Sequence, residues 1–347
     1  MLVNKFNKFF DIPGGRLFFE KIPIFATQNY ADYLKEIKNH DTVWFAHIEN
    51  NTACYLLPFT VVKKLIFRKG YFLTGVISFI RENSPKKEKE FLENVIFHIK
   101  KDNLCDWIQQ GPNWALFNTF PSGSKAVKYG TYRINLKDKN ESELFKAIKK
   151  IDRQDINKAI RSEVKIKKGG DYLESSLEII NDTAKKGDLQ LLTLDEAKKL
   201  LFYFNDNLKI YVSYKDNIQQ SATIFIGNKY CLYAFYSGSK KGPFRGSNSY
   251  LFWEAIKDAK NGNSIFFDFV GARINPPPGS KLERIQRFKE HFGSEFVQGY
   301  LWKMNFSYIK YFIYRIIVRL MYFVKMKRYK PDIIDEEIKR MKNFSNK

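Results

Sequence analysis

Apolar positions along this chain alternate between strand-like runs and helical spacing, and the changes between the two predict its elements. Residues 43–48 and 53–59 are short apolar runs of strand length. The Asn50-Asn51 pair between them suits the positive φ of a tight hairpin turn, so a first lobe containing antiparallel sheet is expected. Ser84 before Pro85 reads as an N-cap with proline in the first helical position. Phe91, Leu92, Val95, Ile96 and Ile99 then recur at helical spacing and should pack that helix on the sheet. Further strands are expected at 104–109 and 115–120, after which residues 121–125, Pro-Ser-Gly-Ser-Lys, have the composition of a linker.

The second lobe should open with a strand at 130–136 and a long polar-faced helix from about 141 to 162. Two more helices are expected near 172–185 and 195–207. Three strands follow at 210–214, 221–226 and 230–236, turned at Asp216-Asn217 and Gly227-Asn228. Between 237 and 250 comes a basic, Gly-rich turn in which Gly238, Gly242 and Gly246 free the backbone while Lys240, Lys241 and Arg245 supply charge. Ser247 and Asn248 are expected to cap the helix that carries Leu251, Phe252, Ala255, Ile256 and Ala259 on one face. A glycine-rich turn feeding a helix start offers N–H groups to an anion; a basic loop without a ligand is the alternative. Neither a P-loop nor a dinucleotide fingerprint is present in it. A buried strand, Phe267-Asp268-Phe269-Val270-Gly271, and a helix bearing Phe288-Lys289 complete the lobe. The fold class is α+β, a mixed α/β arrangement of two lobes whose shared rhythm fits an ancient duplication. Its expected domains are 1–125, 126–305 and a basic amphipathic tail, 306–347.

Composition adds a partner class. The 347 residues suffice for two medium domains or one large one. Their 59 Lys and Arg against 37 Asp and Glu leave a net charge of +22, which favours a polyanionic partner such as RNA, a phosphorylated carrier or an anionic membrane face. Cys54, Cys105 and Cys231 are odd in number and lie in apolar stretches, so neither a disulfide framework nor a thiolate metal site is indicated. No secretory signal pattern opens the chain. A reduced, cytoplasmic location is expected, with peripheral attachment to the inner face of the membrane.

Several motifs of the second lobe occur in a telling order. Arg153-x-x-Ile156-x-Lys158-Ala159 precedes Val164-Lys165-Ile166; Ser221-Ala222 and Tyr233-Ala234-Phe235-Tyr236-Ser237-Gly238 follow. Then come Asn248-x-x-Leu251-x-Trp253-x-Ala255-Ile256, Phe267-Asp268-Phe269-x-Gly271 and Phe288-Lys289-x-x-Phe292-Gly293. This series resembles the GNAT acyltransferase superfamily, and within it the FemAB-like aminoacyltransferases that build peptidoglycan cross-bridges. The resemblance covers 130–303 well and 20–120 weakly. It implies tandem GNAT-like lobes, each a mixed central sheet flanked by helices, with an acyl-transfer site in the second. It also implies aminoacyl-tRNA as donor. A CoA-binding GNAT loop carries Gly-x-Gly or Gly-x-Ala where this chain reads Arg245-Gly246-Ser247-Asn248, and the donor stays open between aminoacyl-tRNA and acyl-CoA. Either is a co-substrate; no resident cofactor and no metal are expected.

Direct attack of an amine on an activated acyl carbon needs oxyanion stabilisation and a proton for the leaving group, with no covalent enzyme intermediate. The resemblance places Lys289 at the acyl centre and Phe288 in the same site; a solvated helix cation and a core aromatic are the alternatives, since Leu282, Ile285, Phe288 and Phe292 already give the helix an apolar face. Asp268 should face opposite to Phe267 and Phe269, where it holds a cation or the incoming amine, or pairs with Arg273. Tyr236 is a candidate proton donor to the leaving group. Lys240, Lys241, Arg245, Gly246, Asn248 and Arg273 are the candidate donor-binding residues. His40, His47, His98 and His291 are scattered; His291, two residues after Lys289, is the first choice among them for a base.

The stretch 308–330 is apolar around Ile309, Phe312, Ile313, Ile316, Ile317, Leu320, Phe323 and Val324, and is interrupted by Lys310, Arg315 and Arg319. It makes a poor membrane span. It suits either an amphipathic helix on an anionic leaflet, with Lys325, Lys327 and Arg328 near the headgroups, or a buried docking helix. Two functional readings stand. One is an aminoacyl- or acyltransferase acting on an amino group of a lipid-linked or nucleotide-linked cell-wall or surface-glycan precursor; its variant uses acyl-CoA in surface polysaccharide synthesis. The other is a non-catalytic basic protein that binds RNA or membrane.

Overall fold

Two units with the same succession of strand pairings emerge in the computed structural model, which describes residues 1–80, 84–187, 189–324 and 331–345. The first comprises Met1–Phe19, Phe25–Gly130 and Gln298–Lys347; the second comprises Glu20–Ile24 and Thr131–Val297. In the first, strands Asn4–Phe6, His40–Glu49, Thr52–Lys64 and Phe67–Phe72 pair antiparallel in that order. Phe67–Phe72 then pairs parallel with Trp107–Ile108, which pairs antiparallel with Glu295–Asn305. In the second, Lys165–Lys168, Leu208–Lys215, Ile218–Gly227 and Cys231–Ser239 are antiparallel neighbours. Cys231–Ser239 pairs parallel with Phe266–Asp268, which pairs antiparallel with Lys125–Asn135. A parallel pair needs a crossover, supplied by helix Pro85–Lys101 in one unit and Ser247–Asn261 in the other.

Local chemistry sets several of these elements. Asn50 and Asn51 sit at φ 49° and 56°, and Asp216 and Asn217 at 50° and 58°, so both hairpins turn through residues that tolerate the left-handed region. Ser84 Oγ accepts from the Lys87 N–H at 3.2 Å with Pro85 opening the helix. Phe91, Leu92, Val95, Ile96 and Ile99 bury in one cluster with Phe45, Leu57, Phe59 and Phe72 of the sheet. One polar residue of that helix is buried with them. Glu88 has no exposed surface, and its carboxylate accepts from the Asn118 N–H at 2.8 Å and from Asn118 Nδ2 at 2.6 Å, tying the helix to the segment before the linker.

Three expectations change. The single helix expected over 141–162 is two, Glu141–Ala147 and Lys150–Arg161. Ile148 is extended, and Lys149 N–H donates to the His291 carbonyl at 2.7 Å instead of continuing the helix. The strand expected at 104–109 shortens to Trp107–Ile108, and 115–120 contributes only the bridge Phe117↔Tyr300. The expected boundaries near 125 and 305 fall at the ends of the strands Lys125–Asn135 and Glu295–Asn305. Each of these strands passes from one unit into the other. The C-terminal stretch forms helices Tyr308–Val324 and Ile333–Ser345 within the first unit.

Replacing Glu88 with Ala should lower the stability of the first unit by about 2–3 kcal/mol, because two N–H donors lose a charged acceptor in a dry site. Urea unfolding checks this. Glu88→Gln should cost less, and equal stability of Glu88→Ala would show that the carboxylate is dispensable.

Candidate active site

Parallel pairing in the second unit runs through Cys231↔Phe266, Leu232↔Phe267 and Tyr233↔Asp268 and stops there. The first strand continues to Ser239, whereas the second ends at Asp268 and turns. The carboxyl end of a parallel strand is where α/β sheets commonly place ligands. Here the turn is strained: Val270 lies at φ 45° and Gly271 at 61°. A β-branched residue in the left-handed region costs about 1–3 kcal/mol and persists only when its surroundings hold it.

Asp268 holds it from one side. Its side chain, 1% exposed, faces opposite to Phe267 and Phe269 and fills both oxygens. Oδ1 accepts from the Thr131 hydroxyl at 2.5 Å and from the Val270 N–H at 2.8 Å. Oδ2 accepts from Arg133 Nε at 3.0 Å and lies 2.9 Å from a second Arg133 nitrogen. The partner is therefore Arg133 and not Arg273, since the neighbouring strand Lys125–Asn135 brings Arg133 directly opposite Asp268. With four donors in place, the carboxylate anchors the turn; no oxygen is left for an incoming amine.

Lys289 grips the other side. Ser280 caps helix Lys281–His291 by accepting from Glu283 N–H at 3.1 Å. The helix then buries Gln286 and Lys289, while Leu282 and Ile285 are 40% and 41% exposed. Of the expected apolar face, only Phe288 and Phe292 reach the core. Lys289 Nζ donates to the carbonyls of Val270 at 2.5 Å and Gly271 at 2.6 Å, and Gln286 Nε2 donates to that of Arg273 at 2.8 Å. Burial pulls the Lys289 ammonium down to about 8, with the Asp268 charge opposing the shift. An ammonium has three N–H donors, and carbonyls of the described residues use two. Gln286 Oε1 is likewise buried without a hydrogen-bond partner among the described residues.

Phe288 packs its ring on Phe252 at 5.3 Å and Phe292 at 5.1 Å, within the aromatic cluster that includes Phe267 and Phe269. Tyr236 lies beyond the last parallel pair, half-buried, and burial pushes its hydroxyl up to about 12. Among the described residues no hydrogen bond joins Tyr236 to Lys289 or Asp268. The structure thus brings Asp268, Lys289, Phe288 and the backbone of Arg273 together, and leaves Tyr236 on the adjoining strand.

The basic turn is organised by a residue that sequence patterning passes over. Gln220, 2% exposed, accepts from Lys240 N–H with its backbone carbonyl at 3.0 Å and from Phe244 N–H with Oε1 at 2.8 Å. Arg245 pairs with Asp155 at 2.7 Å, while Lys241 is exposed and Lys240 and Asn248 are partly so. The helix cap differs from expectation. Gly246, at φ 87°, is the N-cap, and neither Ser247 nor Asn248 caps with its side chain. A Cβ on Gly246 would stand 2.1 Å from the Asp155 carbonyl oxygen, so helix Lys150–Arg161 approaches too closely for any larger residue. Ser247 Oγ is fully buried and has no hydrogen-bond partner among the described residues.

His291 serves a different end from a base near Lys289. Its Nδ1 is 2.7 Å from Asp152 Oδ2, and Ser249 Oγ donates to Asp152 Oδ1 at 3.4 Å. The trio joins three helices at the point where the 141–162 helix breaks. His40 is drawn down to about 4 by burial and lies 3.0 Å from the Tyr71 hydroxyl. All three cysteines are buried free thiols, with burial pushing Cys105 up to about 12 and Cys231 well above the ordinary thiol value. None is poised as a thiolate nucleophile.

Gly246→Ala combines a positive φ with a backbone clash and should cost at least about 2 kcal/mol. Thermal or urea unfolding reads this directly; wild-type stability would mean that the loop and helix Lys150–Arg161 move apart freely.

No protein-family model matches the chain, and no curated protein matches it. Solved structures do. The crystal structure of FemX superposes with a TM-score of 0.65 at 12% identity, covering 84% of this chain and 94% of that one. The C-terminal domain of a putative lysylphosphatidylglycerol synthetase from Agrobacterium fabrum gives 0.52 at 13%, covering 85% and 92%. A tandem GNAT protein from the clavulanic acid biosynthesis pathway gives 0.48 at 8%, covering 88% and 98%. The mixed α/β fold of this chain is shared with FemX, and the FemAB-like resemblance of the sequence holds at the level of the fold.

Proposed function

We propose that the protein transfers an aminoacyl group from aminoacyl-tRNA to an amino group of a lipid-linked or nucleotide-linked cell-wall or surface-glycan precursor. The observation that carries this reading is the buried Lys289, held on two carbonyls of a strained turn at a strand end with one N–H donor to spare. Gln286 and Lys289 are buried here while Leu282 and Ile285 of the same helix stay exposed, a local departure of the kind expected where function overrides packing. The likeness in fold to FemX and to a domain of a putative synthetase named for an aminoacylated lipid supports the same class of chemistry.

In the proposed step the acceptor nitrogen attacks the acyl carbon. A C–N bond forms, the ester C–O bond breaks, and the proton lost by the amine ends on the leaving oxygen. The free N–H of Lys289 donates to the developing oxyanion, a contribution worth about 10²–10³ in rate in a dry site. Asp268 and Gln286 act as positioning residues, because they hold the turn and its carbonyls. Phe288 gives the site an apolar wall. Tyr236, kept protonated by burial, is the proposed relay, giving its proton to the leaving oxygen and recovering one from the attacking amine. Lys240, Lys241, Arg245 and Arg273 attract the polyanionic donor, and the helix start at Gly246 and Asn248, with no side-chain cap, offers N–H groups to a phosphate. The donor makes this a cytoplasmic activity.

The pH dependence follows from Lys289. Its ammonium predominates below about pH 8, so transfer should fall as pH rises through that value. For stability the sign is opposite: between the folded and the ordinary lysine value the unfolded chain binds the extra proton, so the cost of burying the charge is present below pH 8 and fades above it. Lys289→Met should lower single-turnover transfer ~10²-fold or more and flatten the alkaline limb, with donor binding kept. A residual activity that retains the wild-type pH profile would remove Lys289 from the chemistry.

Equilibrium binding of charged tRNA, uncharged tRNA and acyl-CoA thioesters separates the donors. Preference for charged tRNA, weakening steeply with salt through phosphate contacts, is expected. Selective binding of an acyl-CoA would redirect the reading to N-acylation in surface polysaccharide synthesis. Failure of every donor to bind the folded protein would favour a non-catalytic role.

A further inference from the structure

Helix Tyr308–Val324 presents its apolar side outward. Tyr311 and Tyr314 pack on Trp107 at 5.5 and 4.8 Å, and Tyr314 on Phe67 at 5.6 Å, so this face meets the first unit. On the opposite face, Ile309 is 75% exposed, Phe312 65%, Leu320 57% and Phe323 81%, with Ile313 and Ile316 between them. These positions recur at helical spacing and form one stripe. Arg315 and Arg319 flank it on one edge, whereas Lys310 on the other turns to the buried Asp106 at 2.9 Å.

A second apolar element borders the same helix. The hairpin between strands Thr52–Lys64 and Phe67–Phe72 turns through Leu65 and Ile66, which are 92% and 67% exposed. Leu65 lies at φ 54°. A left-handed turn position ordinarily holds Asn or Gly, and a bare leucine there has a backbone cost with no packing in return. Lys64, Leu65 and Phe67 face Tyr314, Ile317 and Val318 across a shallow groove, so hairpin tip and helix belong to one surface.

We propose that helix Tyr308–Val324 and the Leu65-Ile66 tip together insert into the headgroup region of an anionic bilayer. The charge selects this occupant. Residues 308–330 contain no Asp or Glu, Lys63, Lys64 and Arg68 surround the hairpin tip, and the chain carries +22 overall. A second copy would set like charge against like; anionic headgroups neutralise it, with apolar side chains below them and cations at their level. Tyr308, 75% exposed, has the amphipathic ring that favours that depth. The helix lies along the surface: among the described residues no helix is long and apolar enough to cross a membrane. Lys325, Lys327 and Arg328, expected near the headgroups, lie outside the described residues. The proposal is independent of the transfer reaction.

Co-sedimentation of the full chain with vesicles tests it. Vesicles of phosphatidylcholine and phosphatidylglycerol at roughly three to one should retain the protein ~10-fold or more better than phosphatidylcholine alone. The pair Leu65→Ser with Ile66→Ser, and separately Phe312→Ser with Phe323→Ser, should each reduce retention ~10-fold. Circular dichroism of these variants should be unchanged, because the replaced side chains are exposed. Indifference of the wild type to both vesicles, or wild-type retention of both variants, overturns the proposal. So does a wild-type dimer in sedimentation equilibrium that the same substitutions dissolve, which would assign the stripe to a second copy.

Discussion

The buried Asp268 carboxylate is the constraint on which the candidate site depends. Removing a carboxylate from water is costly unless every lone pair finds a donor, and the sequence meets that demand from three directions. Thr131 and Arg133 come from the adjoining antiparallel strand, and the Val270 N–H comes from the turn itself. Accepting that N–H draws the turn back toward the strand end and is compatible with Val270 in the left-handed region. The carbonyls of Val270 and Gly271 then converge on Lys289. Carboxylate, strained turn and buried ammonium are therefore one unit: the anion partly sustains the charge of the cation, and both hold the backbone between them.

This coupling explains why the site was only half legible in the sequence. Asp268 between two phenylalanines announced its orientation by strand alternation, and Lys289 stood out through family resemblance. The partners did not. Arg133 lies far from Asp268 in the chain and meets it only through strand pairing, whereas Arg273 is near in sequence and was the natural guess. Gln286 and Lys289 are buried where Leu282 and Ile285 are not, so the spacing rule holds for this helix only at Phe288 and Phe292. Gln220, which pins the basic turn, lies between Gln219 and Ser221 at the polar start of its strand, and nothing in that run marks it out until its burial requires it to be satisfied.

The same division runs through the fold. The Asn-Asn and Asp-Asn hairpins and the Ser84-Pro85 cap are decided by a few consecutive residues, and they formed as read. The break at Ile148 and Lys149 is decided by the His291 carbonyl and by the close approach of Gly293 to Ala147, where a Cβ would lie 2.7 Å from the Ala147 Cβ. Apolar spacing continues across that break, so a local pattern reads one helix where tertiary contacts make two. Placing the ends of the two units is harder still, because strands Lys125–Asn135 and Glu295–Asn305 each cross from one unit to the other.

The equivalent strand ends of the two units are held by different donors. Both units close a parallel pair after the same succession of strands, at Gly70↔Ile108 in one and Tyr233↔Asp268 in the other. Beyond Ile108 the first unit places Trp114, whose indole N–H donates to the Leu73 carbonyl at 3.0 Å and whose ring stacks on Phe25 at 4.5 Å. Here a neutral indole serves the carbonyl that follows the first strand of the pair, whereas in the second unit a buried ammonium serves two carbonyls that follow the second strand. An indole satisfies a carbonyl without paying the desolvation of a charge, so it stabilises the strand end as architecture. Lys289 accepts that penalty, visible in its lowered proton affinity, and retains a cationic N–H that an indole cannot supply. The proposed oxyanion contact rests on that retained charge, which the nearby Asp268 carboxylate helps to sustain against burial.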